Sequence, residues 1–156
     1  MKLSAIFTGK TKEPYLQEGV EEYLKRIRRY ISFDLVVIPD LKASRKMSTE
    51  EIRAIEGQQI LQRMGPSDHL VLMDERGRQF GSVEFSRYIA GLEQRSGNGI
   101  FLIGGPYGFS EEIYTRSNEM ISLSKMTFSH QMVRMFFLEQ VYRAYTIIRG
   151  EPYHHR

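Results

Sequence analysis

The chain has 156 residues, 41% hydrophobic and 26% charged, the balance of a folded globular domain rather than of a disordered or membrane-spanning chain. Its 22 Lys and Arg against 19 Asp and Glu give a net charge of +3, which allows an anionic partner without requiring one. The absence of cysteine excludes disulfides, thiolate metal sites and a covalent cysteine nucleophile. The first apolar run, Leu3 to Phe7, is too short for a secretory signal core, so a cytoplasmic location is expected.

Leu3 to Thr8 reads as a short buried strand, and Pro14 suits the first turn of a helix running to about Arg29. Ser32 to Ile38 is a second strand, ended by Pro39. Ser48 followed by Glu51 has capping-box spacing, opening a helix that lasts to about Met64, before Gly65 and Pro66. His69 to Met73 is a third strand, and Gly77 is expected to break the chain after it. Ser82 can cap a helix through about Gln94, and Gly97-Asn98-Gly99 turns into a fourth strand, Ile100 to Ile103. Ser110 can cap a short helix with Glu111 and Glu112 in its first turn, where the helix dipole favours them. Met120 to Leu123 is a fifth strand, and the last helix spans about Gln131 to Arg149, with Gly150 at its end.

Strands alternating with helices argue for an α/β fold, a mostly parallel sheet flanked by helices, in one domain spanning residues 1–156. Ligands of such sheets gather at the carboxyl ends of strands. Three stretches there are expected to be loops: Asp74 to Gly81, Gly104 to Phe109 and Ser124 to His130. The corner at Gly104, Gly105 and Gly108 lacks both G-x-G-x-x-G spacing and a following Lys-Ser or Lys-Thr, so a dinucleotide or nucleoside-triphosphate reading is weak, and a tight turn set by Pro106 stands about even with another ligand role. The stretch from Leu123 to His130 supplies hydroxyls, apolar side chains and main-chain groups without an acidic residue, a lining suited to a neutral heterocycle, though a plain β-to-α connection is the simpler reading of the stretch alone.

The last helix is apolar nearly all round, which demands cover on more than one side and suggests a homodimer. Arg134 and Arg143 lie within it and need anionic or hydrogen-bonding partners. Basic side chains cluster at Lys25, Arg26, Arg28 and Arg29 and at Lys42, Arg45 and Lys46, where solvated faces are the simpler reading of the first group. The tail, with Tyr153, His154, His155 and Arg156, combines an aromatic face with cations and titratable nitrogens, as nucleic-acid contacts do. The histidines have no metal-ligand spacing, so no metal is expected.

Together, "LIGGPYG" (102–108), "LSKMTFSHQMVR" (123–134), "EQVYRAYTIIRGEPYH" (139–154) and the opening "KLSAIFTGKTKEPY" resemble the RlmH family along essentially the whole chain. These are bacterial pseudouridine-N3 methyltransferases of 23S rRNA, of the SPOUT class. The resemblance implies a C-terminal trefoil knot, a homodimer, and S-adenosylmethionine as cofactor, bound bent in the knotted region. It implies a cofactor pocket from Met73, Gly104 and Leu123, Ser124, Lys125, Met126, Thr127 and Phe128, with a wall poor in carboxylates. His130, Arg143, Tyr153 and His154 match the substrate-side residues, and the tail is expected to complete the partner subunit's site. Ser129 stands where the family commonly has proline, and can cap the last helix equally well.

The implied reaction is N3-methylation of a pseudouridine in the helix 69 loop of 23S rRNA, on the assembled ribosome. A neutral imide nitrogen is a poor nucleophile, so its proton must leave and the charge spreading onto the flanking oxygens must be stabilised. Arg143 can supply that stabilisation, and either His154 or His130 can take the proton. The rival readings are a non-enzymatic RNA-binding module and a dinucleotide-dependent oxidoreductase. The latter predicts a G-x-G-x-x-G corner that is missing.

Overall fold

The computed structural model describes residues 1–41 and 46–155; Lys42 and Arg45 of the second basic cluster and Arg156 of the tail lie outside them. In chain order the elements are β1 (Lys2–Thr8), α1 (Pro14–Ile27), β2 (Phe33–Ile38), α2 (Thr49–Leu61), β3 (His69–Gln79), α3 (Ser82–Glu93), β4 (Asn98–Ile103), α4 (Glu111–Arg116), β5 (Glu119–Ser122) and α5 (Met132–Ile148), then a 3-10 turn at Pro152–His154. The five-stranded sheet runs β2-β1-β4-β3-β5, and every pairing in it is parallel.

Period-two alternation sorts the strand side chains onto two faces. Leu3, Ala5 and Phe7 of β1, Val71 of β3 and Phe101 and Ile103 of β4 pack with Val20 and Leu24 of α1, Phe85 and Ile89 of α3, and Phe137, Leu138 and Val141 of α5. Ile6, Leu70, Leu72, Ile100 and Leu102 face the other way, onto Ile60 of α2 and Ile113 of α4. The sheet is therefore covered on both sides, which explains strands that read as apolar runs.

The helix ends follow local chemistry. Pro14 occupies the start of α1, where a missing N–H costs nothing. Ser48 Oγ accepts from the Glu51 N–H at 3.1 Å, and Ser110 Oγ accepts from the Ile113 N–H at 3.3 Å. Ser129 Oγ accepts from the Gln131 and Met132 N–H groups at 3.3 and 3.1 Å, so it caps the turn that leads into α5, whose own cap position is Gln131. Ser82 differs from expectation: Gly81 is the cap of α3, and Ser82 Oγ instead donates to Gln140 Oε1 at 2.9 Å, tying α3 to α5.

The larger departure concerns β3, which does not end at Met73. Met73 and Arg78 both pair with Ile121 of β5, so residues 74–77 form a bulge and the strand resumes to Gln79. Gly77 permits this closeness rather than breaking the chain, since a Cβ there would lie 2.5 Å from the Ile121 main chain. The stretch expected to be a loop is thus a strand with an outward fold in its middle. Helix α5 also departs in emphasis, because α1, α3 and the sheet cover Phe137, Leu138, Val141, Ala144 and Tyr145 within the chain itself. Its apolar character is mostly satisfied without a partner.

Candidate active site

At the carboxyl ends of β3, β4 and β5, three stretches enclose a cavity of about 650 Å³, a size that suits a small-molecule ligand. Met73 and the β3 bulge form one wall, Ile103 to Gly105 with Pro106 and Gly108 a second, and the chain from Leu123 to His130 a third. Of the expected cofactor residues, Met73, Gly104, Leu123, Ser124, Met126, Thr127 and Phe128 line this one space, and only Lys125 does not. His130 lines it as well.

The glycine corner is a turn, closed by the Gly108 N–H donating to Gly105 O at 3.3 Å, with Gly108 at φ 74°, where glycine is favoured. Gly104 owes its lack of a side chain to packing, because a Cβ would approach the Phe109 ring to 2.9 Å. The third wall is held by short-range bonds. Ser122 Oγ donates to Ser124 O at 2.9 Å, the Met126 N–H donates to Ser124 Oγ at 3.0 Å, and Thr127 Oγ1 donates to Glu75 Oε1 at 3.0 Å. This last bond joins the bulge to the wall opposite. Met126 is 76% exposed and Phe128 37%, apolar groups that face outward at the cavity rim.

The expectation of a carboxylate-poor wall is corrected here, for Asp74 and Glu75 both line the cavity. The 123–130 stretch indeed carries no acid, but the bulge of β3 turns two toward the same space. Asp74 Oδ2 accepts from the Tyr114 hydroxyl at 2.6 Å, and Oδ1 accepts from the Arg76 N–H and Nε at 2.9 and 3.1 Å. Burial pushes its pKa up, and these bonds more than offset that, so the net shift is downward and the group is ionised at neutral pH. Burial, then the charges of Arg134 and Lys12, lowers the His130 pKa, leaving its ring neutral near pH 7.

Arg143, Tyr153 and His154 meet elsewhere, around Glu139. Arg143 Nε and Nη2 donate to Glu139 Oε1 at 3.1 and 2.5 Å, and the Tyr153 hydroxyl donates to the same oxygen at 2.9 Å. The Arg143 guanidinium lies 4.7 Å from the Tyr153 ring centroid, and that ring packs edge-on against Tyr142. The tail is therefore docked on its own α5. Arg143 Nη1 stands 3.1 Å from His154 Nδ1, and because a guanidinium can only donate, Nδ1 is the acceptor and the ring proton sits on Nε2. That Nε2 is buried without a partner among the described residues. None of the three lines the cavity. Ten residues of helix, about 15 Å of rise, separate Val133 at the cavity from Arg143. A smaller pocket of about 280 Å³ lies between, sharing Leu123 and Phe128 with the cavity and reaching Glu139.

Two features lay beyond sequence reasoning: the carboxylates of the β3 bulge, and Glu139 as the hub of the tail cluster. The i to i+4 spacing of Glu139 and Arg143 was a signal for the second; nothing local signalled the first.

Comparison with known proteins adds an independent line. A family model described as "Predicted SPOUT methyltransferase" matches residues 1–154. A protein of Cytophaga hutchinsonii named ribosomal RNA large subunit methyltransferase H is 51% identical, covering 99% of this chain and 100% of its own. Proteins of the same name from Christiangramia forsetii, 49% identical over the whole of both chains, and from Parabacteroides distasonis, 48% identical over 99% of each, are similar to the same extent.

Proposed function

Because the chain belongs to the SPOUT methyltransferases, within the ribosomal RNA large subunit methyltransferase H family, we propose that it methylates large-subunit ribosomal RNA in the cytoplasm with S-adenosylmethionine. The proposed acceptor is N3 of a pseudouridine in the helix 69 loop of 23S rRNA, on the assembled ribosome. Residues 1–156 act as one domain with a C-terminal knot, in a homodimer. The observation that carries this reading is the single cavity lined jointly by Met73, Gly104 and the 123–128 stretch.

The lining suits the cofactor. The space is large enough for a nucleoside with an amino-acid arm, apolar side chains and main-chain groups suit the adenine, and the ionised Asp74 suits a ligand carrying positive charge and hydroxyl donors. When bound, S-adenosylmethionine supplies an electrophilic methyl group on a sulfonium. The chain's own residues prepare the nucleophile. His130, neutral and in the cavity wall, would take the N3 proton and so leave the nitrogen lone pair free to accept the methyl group.

Arg143 stabilises negative charge on the flanking carbonyl oxygens, with its guanidinium held in place by Glu139. His154, its Nδ1 held by Arg143, offers Nε2–H to the same charge. The distance along α5 between the cavity and this cluster supports a site completed by two subunits, the tail of one meeting the cavity of the other.

The test is mass spectrometry of ribosomal RNA nucleosides from a strain lacking the gene, with and without its restoration. Loss and recovery of N3-methylpseudouridine is the expected result, and an unchanged nucleoside profile would sink the reading.

A further inference from the structure

The β3 bulge brings Asp74, Glu75 and Arg76 to a cavity whose remaining lining is apolar side chains, hydroxyls, main-chain groups and the neutral His130. Asp74 is the first residue of that bulge, its side chain only 11% exposed, and it is gripped from two directions by Tyr114 of α4 and Arg76 of the bulge. An ionised carboxylate has about four acceptor positions on its two oxygens. The Arg76 N–H and Nε take two on Oδ1, while the Tyr114 hydroxyl takes one on Oδ2. Among the described residues, one acceptor position on Oδ2 is left unfilled, and Asp74 lines the cavity.

The other ionisable groups lining this space are engaged or turned outward. Glu75 accepts from Thr127, the Arg76 side chain is 68% exposed with its guanidinium over the Tyr114 ring at 4.9 Å, and His130 is held neutral by burial. A desolvated anion fixed by neighbouring donors needs no reorganisation to accept another donor, and it favours a ligand that carries positive charge.

We propose that Asp74 is a cofactor-binding residue that accepts an O–H or N–H donor of the bound S-adenosyl compound, and that Tyr114 is the positioning residue holding the carboxylate toward it. The donor is either a ribose hydroxyl or the ammonium of the amino-acid arm. The inference rests on the methyltransferase reading, since it takes that cofactor as the occupant of the cavity.

Titration calorimetry on the full chain tests it with three ligands: S-adenosylmethionine, S-adenosylhomocysteine, and methylthioadenosine, which keeps the ribose but lacks the ammonium. Asp74→Asn is expected to weaken the first two about tenfold or more, as loss of a charged hydrogen bond does. An equal loss for methylthioadenosine assigns the ribose as donor, and an undiminished affinity for it assigns the ammonium. Tyr114→Phe, which keeps the ring and its packing, is expected to weaken S-adenosylmethionine about threefold. It should also move the acid limb of binding to higher pH, because the lost hydrogen bond lets Asp74 protonate sooner.

Unchanged affinities in Asp74→Asn would overturn the assignment and confine Asp74 to holding Arg76 and Tyr114. If Asp74→Asn does not fold, Tyr114→Phe decides, and wild-type affinity with an unmoved acid limb overturns it. A wild-type chain that binds none of the three ligands would instead overturn the methyltransferase reading itself.

Discussion

Arg134 is fully buried, and its hydrogen bonds among the described residues go to carbonyl and hydroxyl oxygens rather than to a carboxylate. Its Nη1 donates to Gly9 O and Thr11 Oγ1, each at 2.9 Å, and Nη2 donates to Thr8 O at 2.7 Å, with the guanidinium 4.9 Å from the Phe7 ring centroid. Burial lowers its pKa to about 10, which still leaves it charged at neutral pH. One cation thus satisfies acceptors around the end of β1 and pins α5 there, beside the wall that carries His130. Replacing it with methionine, which fills much of the volume but donates nothing, strands those acceptors. Arg134→Met should cost about 3 kcal/mol, a fall in Tm of about 10 °C by scanning calorimetry. A Tm within 2 °C of wild type, roughly the shift of half a kcal/mol, would show that repacking offsets the lost bonds. The need for a partner was legible in the sequence, from a guanidinium inside an apolar helix. That the partners would be two main-chain carbonyls and a threonine hydroxyl more than a hundred residues away was not.

At the scale of elements, the site is made by irregularities rather than by regular strands. The β3 bulge between Met73 and Arg78 carries Asp74 and Glu75 to the cavity, and it can form only because β5 passes close over Gly77. Gly77→Ala would place a methyl group 2.5 Å from the Ile121 main chain, a contact the backbone must move to relieve. The expected cost is about 3 kcal/mol in urea denaturation, together with weaker binding of S-adenosylmethionine, because the displaced strand end carries two cavity walls. Wild-type stability in this variant would mean that the bulge adapts without strain. The turn at Gly105 to Gly108 and the caps at Ser48, Ser110 and Ser129 were readable because their chemistry is local. The bulge was not, since a glycine near a strand end reads as a break unless the neighbouring strand is known.

At the scale of the whole molecule, the candidate residues form two groups. Seven of the eight expected cofactor residues and His130 line the cavity, while Arg143, Tyr153 and His154 gather around Glu139 near the far end of α5. A subunit arrangement that brings the tail of one chain to the cavity of another would join them, and the outward-facing Met126, Phe128 and Met132 offer apolar surface for such contact. Mixed dimers test this. One subunit would lack residues 153–156 and the other would carry Gly104→Leu, whose side chain intrudes on Phe109 and the cavity. Each variant alone should lose methyl transfer to ribosomes by orders of magnitude. The mixed dimer should recover a substantial part, since one of its two sites then pairs an intact cavity with an intact tail. No recovery would place the whole site within one chain.

What the residues alone determined is whatever rests on local chemistry and periodicity: the alternation of strands and helices, the caps, the tight glycine corner, and the segments whose wording resembles one family. Those signals act within a few residues, so they survive being read along a line. Only the tertiary structure decided the sheet order, the neutral partners of Arg134, the carboxylates in a wall expected to lack them, and the separation of the tail cluster from the cavity. Each of these depends on main-chain segments far apart in sequence coming within hydrogen-bonding distance, and the free energy that selects such contacts comes from burial of both sheet faces at once, which no single stretch of sequence contains.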